Sequence, residues 1–117
     1  WRGQCEPCSL EELGRRIGQA LGREPLVLGE PGKPVRTVAW CTGGAQGMMD
    51  AAIDCGVDVY ITGEASEQNF HMAHETDTAF IAAGHHATER YGIQALGEAV
   101  AQEFGIRVDF LDLDNPV

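Results

Sequence analysis

The stretch "AFIAAGHHATERYG", residues 79–92, decides how the chain is read. "AFIAAG" is a short apolar run ended by glycine, the pattern of a buried strand. Residues 85–104 then read as a helix closed by Gly105, and two adjacent histidines stand where strand gives way to helix. Working outward from this junction, the same alternation repeats. Upstream, "DVYITG" (58–63) reads as a strand and "SEQNFHMAHE" (66–75) as a helix. Before them, "RTVAWC" (36–41) reads as a strand, "TGGAQG" (42–47) as a glycine-containing turn, and a helix runs on to about Cys55. Downstream, "RVDFLDL" (107–113) is the fourth strand of the series. Strands alternating with helices imply βαβ units and right-handed crossovers.

Closer to the start, Ser9 and Glu12 have capping-box spacing, and Leu10, Leu13, Ile17 and Leu21 recur at helical spacing before Gly22. A short strand "LVL" lies within the Gly- and Pro-rich "PLVLGEPGKP" (25–34). Residues 2–8 read as an irregular segment. The expectation is an α/β fold in one domain over residues 1–117: a mainly parallel sheet of about four strands with flanking helices, βαβαβαβ, plus a leading helix and a short strand.

Composition narrows the function. At 117 residues, 44% hydrophobic and 22% charged, the chain has the profile of a globular domain. A net charge of −10, with only eight Lys and Arg and no basic stripe, argues against nucleic acid and anionic membranes as partners. Apolar runs are too short to span a bilayer, and no secretory signal peptide is visible. The expected location is cytoplasmic, with reduced thiols. The first residue is Trp1, which fits a processed chain or a piece of a longer one. Cys5 and Cys8 form a lone C-x-x-C interrupted by Pro7, while Cys41 and Cys55 are single and far apart. A zinc ribbon needs a second pair, so a metal or redox role for Cys5 and Cys8 has little support from spacing.

Open α/β sheets bind ligands beyond the carboxyl ends of their strands, here Cys41–Thr42, Gly63–Glu64, Gly84–His85 and Asp112. On the third helix His85 and Glu89, four apart, share one face, and His86 is turned about 100° away. Imidazole and carboxylate suit iron, zinc or manganese. The positive end of the helix dipole is expected to lower the pKa of His85 and keep it neutral. The plainer alternative is a helix-capping His85 beside a solvated first-turn Glu89. Two ligands do not complete an ordinary site. Glu64, at the end of "ITGE", is the best further candidate, and is equally readable as a helix N-terminal acid beside the cap Ser66. Glu67, His71 and His74 share a helix face, but mid-helix groups away from strand ends are more often surface residues. "CTGGAQG" lacks the P-loop lysine and is first a tight turn, second an anion cradle.

Together "VAWCTGGAQGMMDAA", "GVDVYITGEASEQNFHMAHE", "AAGHHATERYGIQALGE" and "VDFLDLDNP" resemble the C-terminal half of the GTP cyclohydrolase 1 type 2 homologues. That family is also described as dinuclear-metal-centre, hexameric, Nif-three-like proteins. The resemblance implies two similar α/β halves, a toroidal hexamer, and two divalent metal ions in the cleft between halves. It places the C-terminal half's ligands on His85 and Glu89. The remaining ligands, a histidine pair and an aspartate, belong to an N-terminal half that this sequence does not match. The partners implied are therefore that half, other copies of the chain and a small-molecule substrate.

The leading functional expectation is a metal-dependent hydrolase-like enzyme acting on a nucleotide or related heterocycle, with Glu64 or His86 as general acid or base. The alternative is a non-catalytic metal-binding or metal-handling module, or an interaction scaffold. A third reading concerns this chain alone: an inactive half whose exposed apolar face drives self-association.

Overall fold

The computed structural model describes residues 1–117 and contains five strands and four helices. The strands are β1 (Arg2–Ser9), β2 (Leu26–Leu28), β3 (Pro34–Trp40), β4 (Val59–Thr62) and β5 (Ala79–Ala82). The helices are α1 (Leu10–Leu21), α2 (Met49–Asp54, after a 3₁₀ turn at Gln46–Met48), α3 (Glu67–Glu75) and α4 (His85–Phe104). All strands join one mixed sheet in the order β1-β3-β4-β5-β2. β3, β4 and β5 are parallel, as crossover connections require, and β1 and β2 flank them antiparallel.

The central strands are covered on both faces, which is why they read as unbroken apolar runs rather than as alternating ones. Successive side chains still point to opposite faces. On one face Val59, Ala79, Ile81 and Ala83 pack with Leu10 of α1 and Val35. On the other, Tyr60 and Phe80 pack with Met49 and Ala52 of α2 and Ala73 of α3. α1 begins where expected: the Ser9 hydroxyl accepts from Glu12 N at 3.1 Å. The reciprocal half of that box is not made, because the Glu12 carboxylate binds Arg15 and Arg16 at 2.8 and 2.7 Å. Gly22 ends the helix at φ 72°, a conformation that favours glycine.

Two expectations are corrected. Residues 2–8, read as irregular, belong to the edge strand β1. Residues 107–113, read as a fourth strand of the parallel series, have no strand partner. An alternating pattern is compatible with a strand, but a neighbouring backbone makes one. The segment instead runs back along α4: a Cβ on Gly97 would meet Val108 Cγ1 at 3.0 Å, and Arg90 reaches Asp112 at 2.9 Å. α4 itself buries only Ala87. No helix is long and apolar enough to cross a membrane.

Candidate metal centre

The ends of β3, β4 and β5 deliver three loops to one place. Gly63 N donates to Gly43 O and Gly84 N to Gly63 O, both at 2.9 Å, so each loop is pinned to the next. Two glycines permit this approach. A Cβ on Gly63 would stand 2.7 Å from both Gly43 O and His85 Cα. Gly43 has φ +70°, and a Cβ there would collide with the Glu89 carboxylate. Thr88 completes the clamp: its hydroxyl accepts from Gly43 N at 3.0 Å and donates to Gly84 O at 2.8 Å.

His85 sits at the centre of what this scaffold holds. Its Nδ1 lies 2.5 Å from Glu64 Oε1 and its Nε2 lies 3.1 Å from Glu89 Oε2. Glu64 Oε2 accepts in turn from Gln46 Nε2 at 3.2 Å. The hydrogen bond that His85 donates to Glu64 raises the pKa of His85 above its ordinary value, the charge of Glu89 adds to it, and partial desolvation opposes both. The helix-dipole expectation of a lowered value is thus overturned: two carboxylates in contact outweigh a partial charge at the helix end. Glu64 is held below the usual carboxylate range, first by the His85 hydrogen bond and further by Gln46, against desolvation.

His86 points elsewhere, as its 100° offset requires. Its Nε2 is 3.1 Å from Asp112 Oδ1, and its backbone N–H donates to Val117 O. The His86 contact, together with Arg90, lowers the pKa of Asp112. The structure therefore unites Glu64, His85 and Glu89 and leaves His86 on the other side of the helix. On α3, His74 Nδ1 bonds Phe70 O at 2.7 Å and its ring stacks on Phe70, with no acidic partner. In the "TGGAQG" turn the N–H of Gly43 is bound by Thr88 and that of Ala45 by Gly43 O and Thr62. Sequence reasoning missed Gly43, Gly63, Gln46 and Thr88. The threonine inside "HHATE" and the glycine before Glu64 were the visible signals.

Does this donor set suit a metal ion? Two ligands bound at about 2.0–2.2 Å in tetrahedral geometry lie about 3.3 Å apart. The 3.1 Å between His85 Nε2 and Glu89 Oε2 matches that separation. When the ring is neutral, Glu64 favours the proton on Nδ1 and leaves the Nε2 lone pair toward Glu89, the carboxylate–histidine arrangement of metal sites. The fit covers half a coordination sphere, since no group of three or more His, Cys, Asp or Glu side chains in the chain could hold an ion. The centre is also open: Glu89's side chain is 53% exposed. A cavity of about 640 Å³ between the glycine face of α1 and residues 23–31 shares no residue with it.

Known proteins resemble the chain across this whole frame. A "GTP cyclohydrolase 1 type 2 homolog" of Pseudomonas aeruginosa is 55% identical over 111 residues, which cover 95% of this chain and 44% of that protein. The Haemophilus influenzae protein of the same name is 48% identical over 117 residues, covering 99% of this chain and 47% of its own. Among solved structures, the structural-genomics protein ybgI, of unknown function, superposes with TM-score 0.94 at 47% identity, over 99% of this chain and 48% of that one. TTHA1606 of Thermus thermophilus gives TM-score 0.86 at 30% identity, over 99% and 46%. The chain thus spans somewhat under half the length of the relatives it matches. Residues 1–116 match the family described as Duf34/NIF3 (NGG1p interacting factor 3), and the chain belongs to that family.

Proposed function

We propose that this chain supplies half of a dinuclear metal centre, and that the complete protein is a metal-dependent hydrolase-like enzyme acting on a nucleotide or related heterocycle. One observation carries the reading: His85 Nε2 and Glu89 Oε2 converge at ligand spacing, 3.1 Å apart, while Glu64 backs the other ring nitrogen. The remaining ligands would come from the other half of a chain about twice this length, or from another copy in a hexameric ring. That the relatives extend well beyond the matched region supports such a partner. His85 and Glu89 would hold iron, zinc or manganese, and a pair of such ions supplies an activated water and stabilises a developing oxyanion.

The chain's own residues do the rest. Glu64, kept ionised, accepts the Nδ1 proton of His85 in a hydrogen bond and fixes the ring's orientation. A proton can be held between those two atoms, which makes Glu64 the nearer group for acid–base work. His86, bonded to Asp112, is the second such group, on the tail side of α4. Gly43 and Gly63 keep the loops close enough for Glu89 to stay beside the ring.

The test uses the full-length protein carrying this chain, loaded anaerobically with iron, zinc or manganese and assayed for ring opening of GTP and related nucleotides. Steady turnover lost in a His85→Ala, Glu89→Ala variant is the expected result. Metal loading without turnover across the panel would refute the hydrolase reading.

The exposure of the centre favours one alternative, a non-catalytic metal-handling module that delivers or stores ions. It requires readily exchangeable metal and no group titrating near neutrality in any pH–rate profile.

A further inference from the structure

β1 carries a distortion that changes what its two cysteines can do. Gln4 pairs with Thr37 and Cys8 with Val35, so four steps along β1 oppose only two along β3. Two residues of β3 span about 7 Å, whereas four residues of regular strand would span about 13 Å. Cys5, Glu6 and Pro7 therefore loop out as a bulge, and Cys5 and Cys8 stand at its two feet. In an undistorted strand, residues three apart face opposite sides of the sheet. Here both cysteines converge on Val35: Cys8 is its register partner, and Cys5 Sγ lies 3.9 Å from its carbonyl oxygen. Bridging two cysteines needs Cα atoms within about 4.4–6.8 Å, a separation the compressed bulge brings within reach and a straight strand does not.

Access is favourable as well. β1 is the outermost strand of the sheet, and both thiols are free and half-buried. Cys5 Sγ makes only a weak contact to Val35 O, at 3.9 Å, so its reorientation breaks no strong bond. The pair lies toward the start of β3, the opposite end from the Gly43 loop, so it is independent of the metal centre. Cys41 and Cys55 lie outside the bulge, on the loop after β3 and at the end of α2.

We propose that Cys5 and Cys8 form a reversible dithiol–disulfide site that exchanges with low-molecular-weight disulfides such as glutathione disulfide. The Cys8 thiolate attacks one sulfur of the incoming disulfide, forming a mixed disulfide and releasing one thiol. Burial raises the pKa of Cys5, with Cys8 and Asp58 acting in the same direction, so Cys5 acts second. It gives its proton to solvent and attacks the Cys8 sulfur, and the second thiol leaves. Two protein thiols are oxidised to one disulfide, and one glutathione disulfide is reduced to two glutathione molecules.

The purified chain would be equilibrated anaerobically in buffers running from reduced to oxidised glutathione, quenched in acid, alkylated and digested for mass spectrometry. The expected product is a loss of two hydrogens in the single peptide that holds Cys5 and Cys8, in one two-electron transition. Cys41 and Cys55 should remain alkylated, and a Cys41→Ser, Cys55→Ser variant should behave identically. Cys5→Ser should convert the transition into a stable glutathione adduct on Cys8. Thiols at Cys5 and Cys8 that stay alkylatable in oxidised glutathione would overturn the proposal. So would mixed adducts without closure in the parent chain, or a bridge to Cys41 or Cys55.

Discussion

The His85 imidazole lies between Glu64 at Nδ1 and Glu89 at Nε2. The protonated ring can donate to both carboxylates, while the neutral ring can donate to only one, so the pair stabilises the cation. A group whose pKa rises on folding adds stability below its unfolded value and loses that contribution as pH rises through the folded value. Here the contribution is complete below pH 6.5 and disappears above it. Titration of the metal-free chain by imidazole NMR should give His85 a midpoint above 6.5, and Glu64→Gln should move it down. A midpoint at or below 6.5 would contradict the contact. In the proposed metal centre an ion would compete with this proton for Nε2. Gly43 bears on the same ring from another side. Gly43→Ala forces a side chain into the left-handed region and against Glu89. It should lower unfolding stability by about 1–2 kcal/mol from the backbone alone. Urea denaturation reads that loss, and an unchanged midpoint would show that the loop shifts freely.

At the scale of elements, the sequence announced its helices better than its sheet. α1 and α4 begin and end where capping residues and glycines put them, because those signals act within a turn of chain. Edge strands obey longer-range rules. β1 is recruited by pairing with β3, thirty residues away, and nothing local in "RGQCEPCS" requires it. "RVDFLDL" has the alternation of a strand but lies beside a helix rather than a sheet edge. The site divided along the same line: the i, i+4 spacing of His85 and Glu89 was legible, and the contact from Glu64 depends on β4 and β5 lying side by side. Asp58 shows how strand order is fastened. Its Oδ2 accepts from Arg36 N at 2.9 Å and from Thr37 N and Oγ1 at 2.8 Å, tying the start of β4 to β3. Desolvation pushes its pKa up, yet these three donors hold it below the usual 3.8. The associated stability is present above pH 3.8 and is lost as pH falls below it. Asp58→Asn should cost about 1 kcal/mol at neutral pH and flatten the acid limb of the stability curve. Parallel acid limbs in the two proteins would rule this out.

The whole molecule is longer than its mass predicts. Its radius of gyration is 15.6 Å and its extents are 51 × 27 × 24 Å. A compact domain of this length would have a radius near about 13 Å. The excess is α4 and the tail, which leave Ile93, Leu96, Phe104, Leu111 and Leu113 exposed. Such a surface is a place for the other half of a longer chain or for a second copy. Sedimentation velocity should show concentration-dependent association that Ile93→Lys, Leu96→Lys suppresses, and a strict monomer at every concentration would count against it. α4 is also anchored at one end only. Its first two turns are tied to the body through Thr88 to Gly43 N, through Arg90 to Leu21 O and through Tyr91 to Ala20 O. Beyond Gly92 its residues face mostly solvent. Local opening follows buried contact, so the outer turns can melt and re-form while the first turn stays shut. Amide hydrogens beyond Gly92 should exchange with deuterium well before those of Thr88–Tyr91. The helix thereby insulates the turn that carries His85 and Glu89 from its own fraying and keeps the two side chains in register.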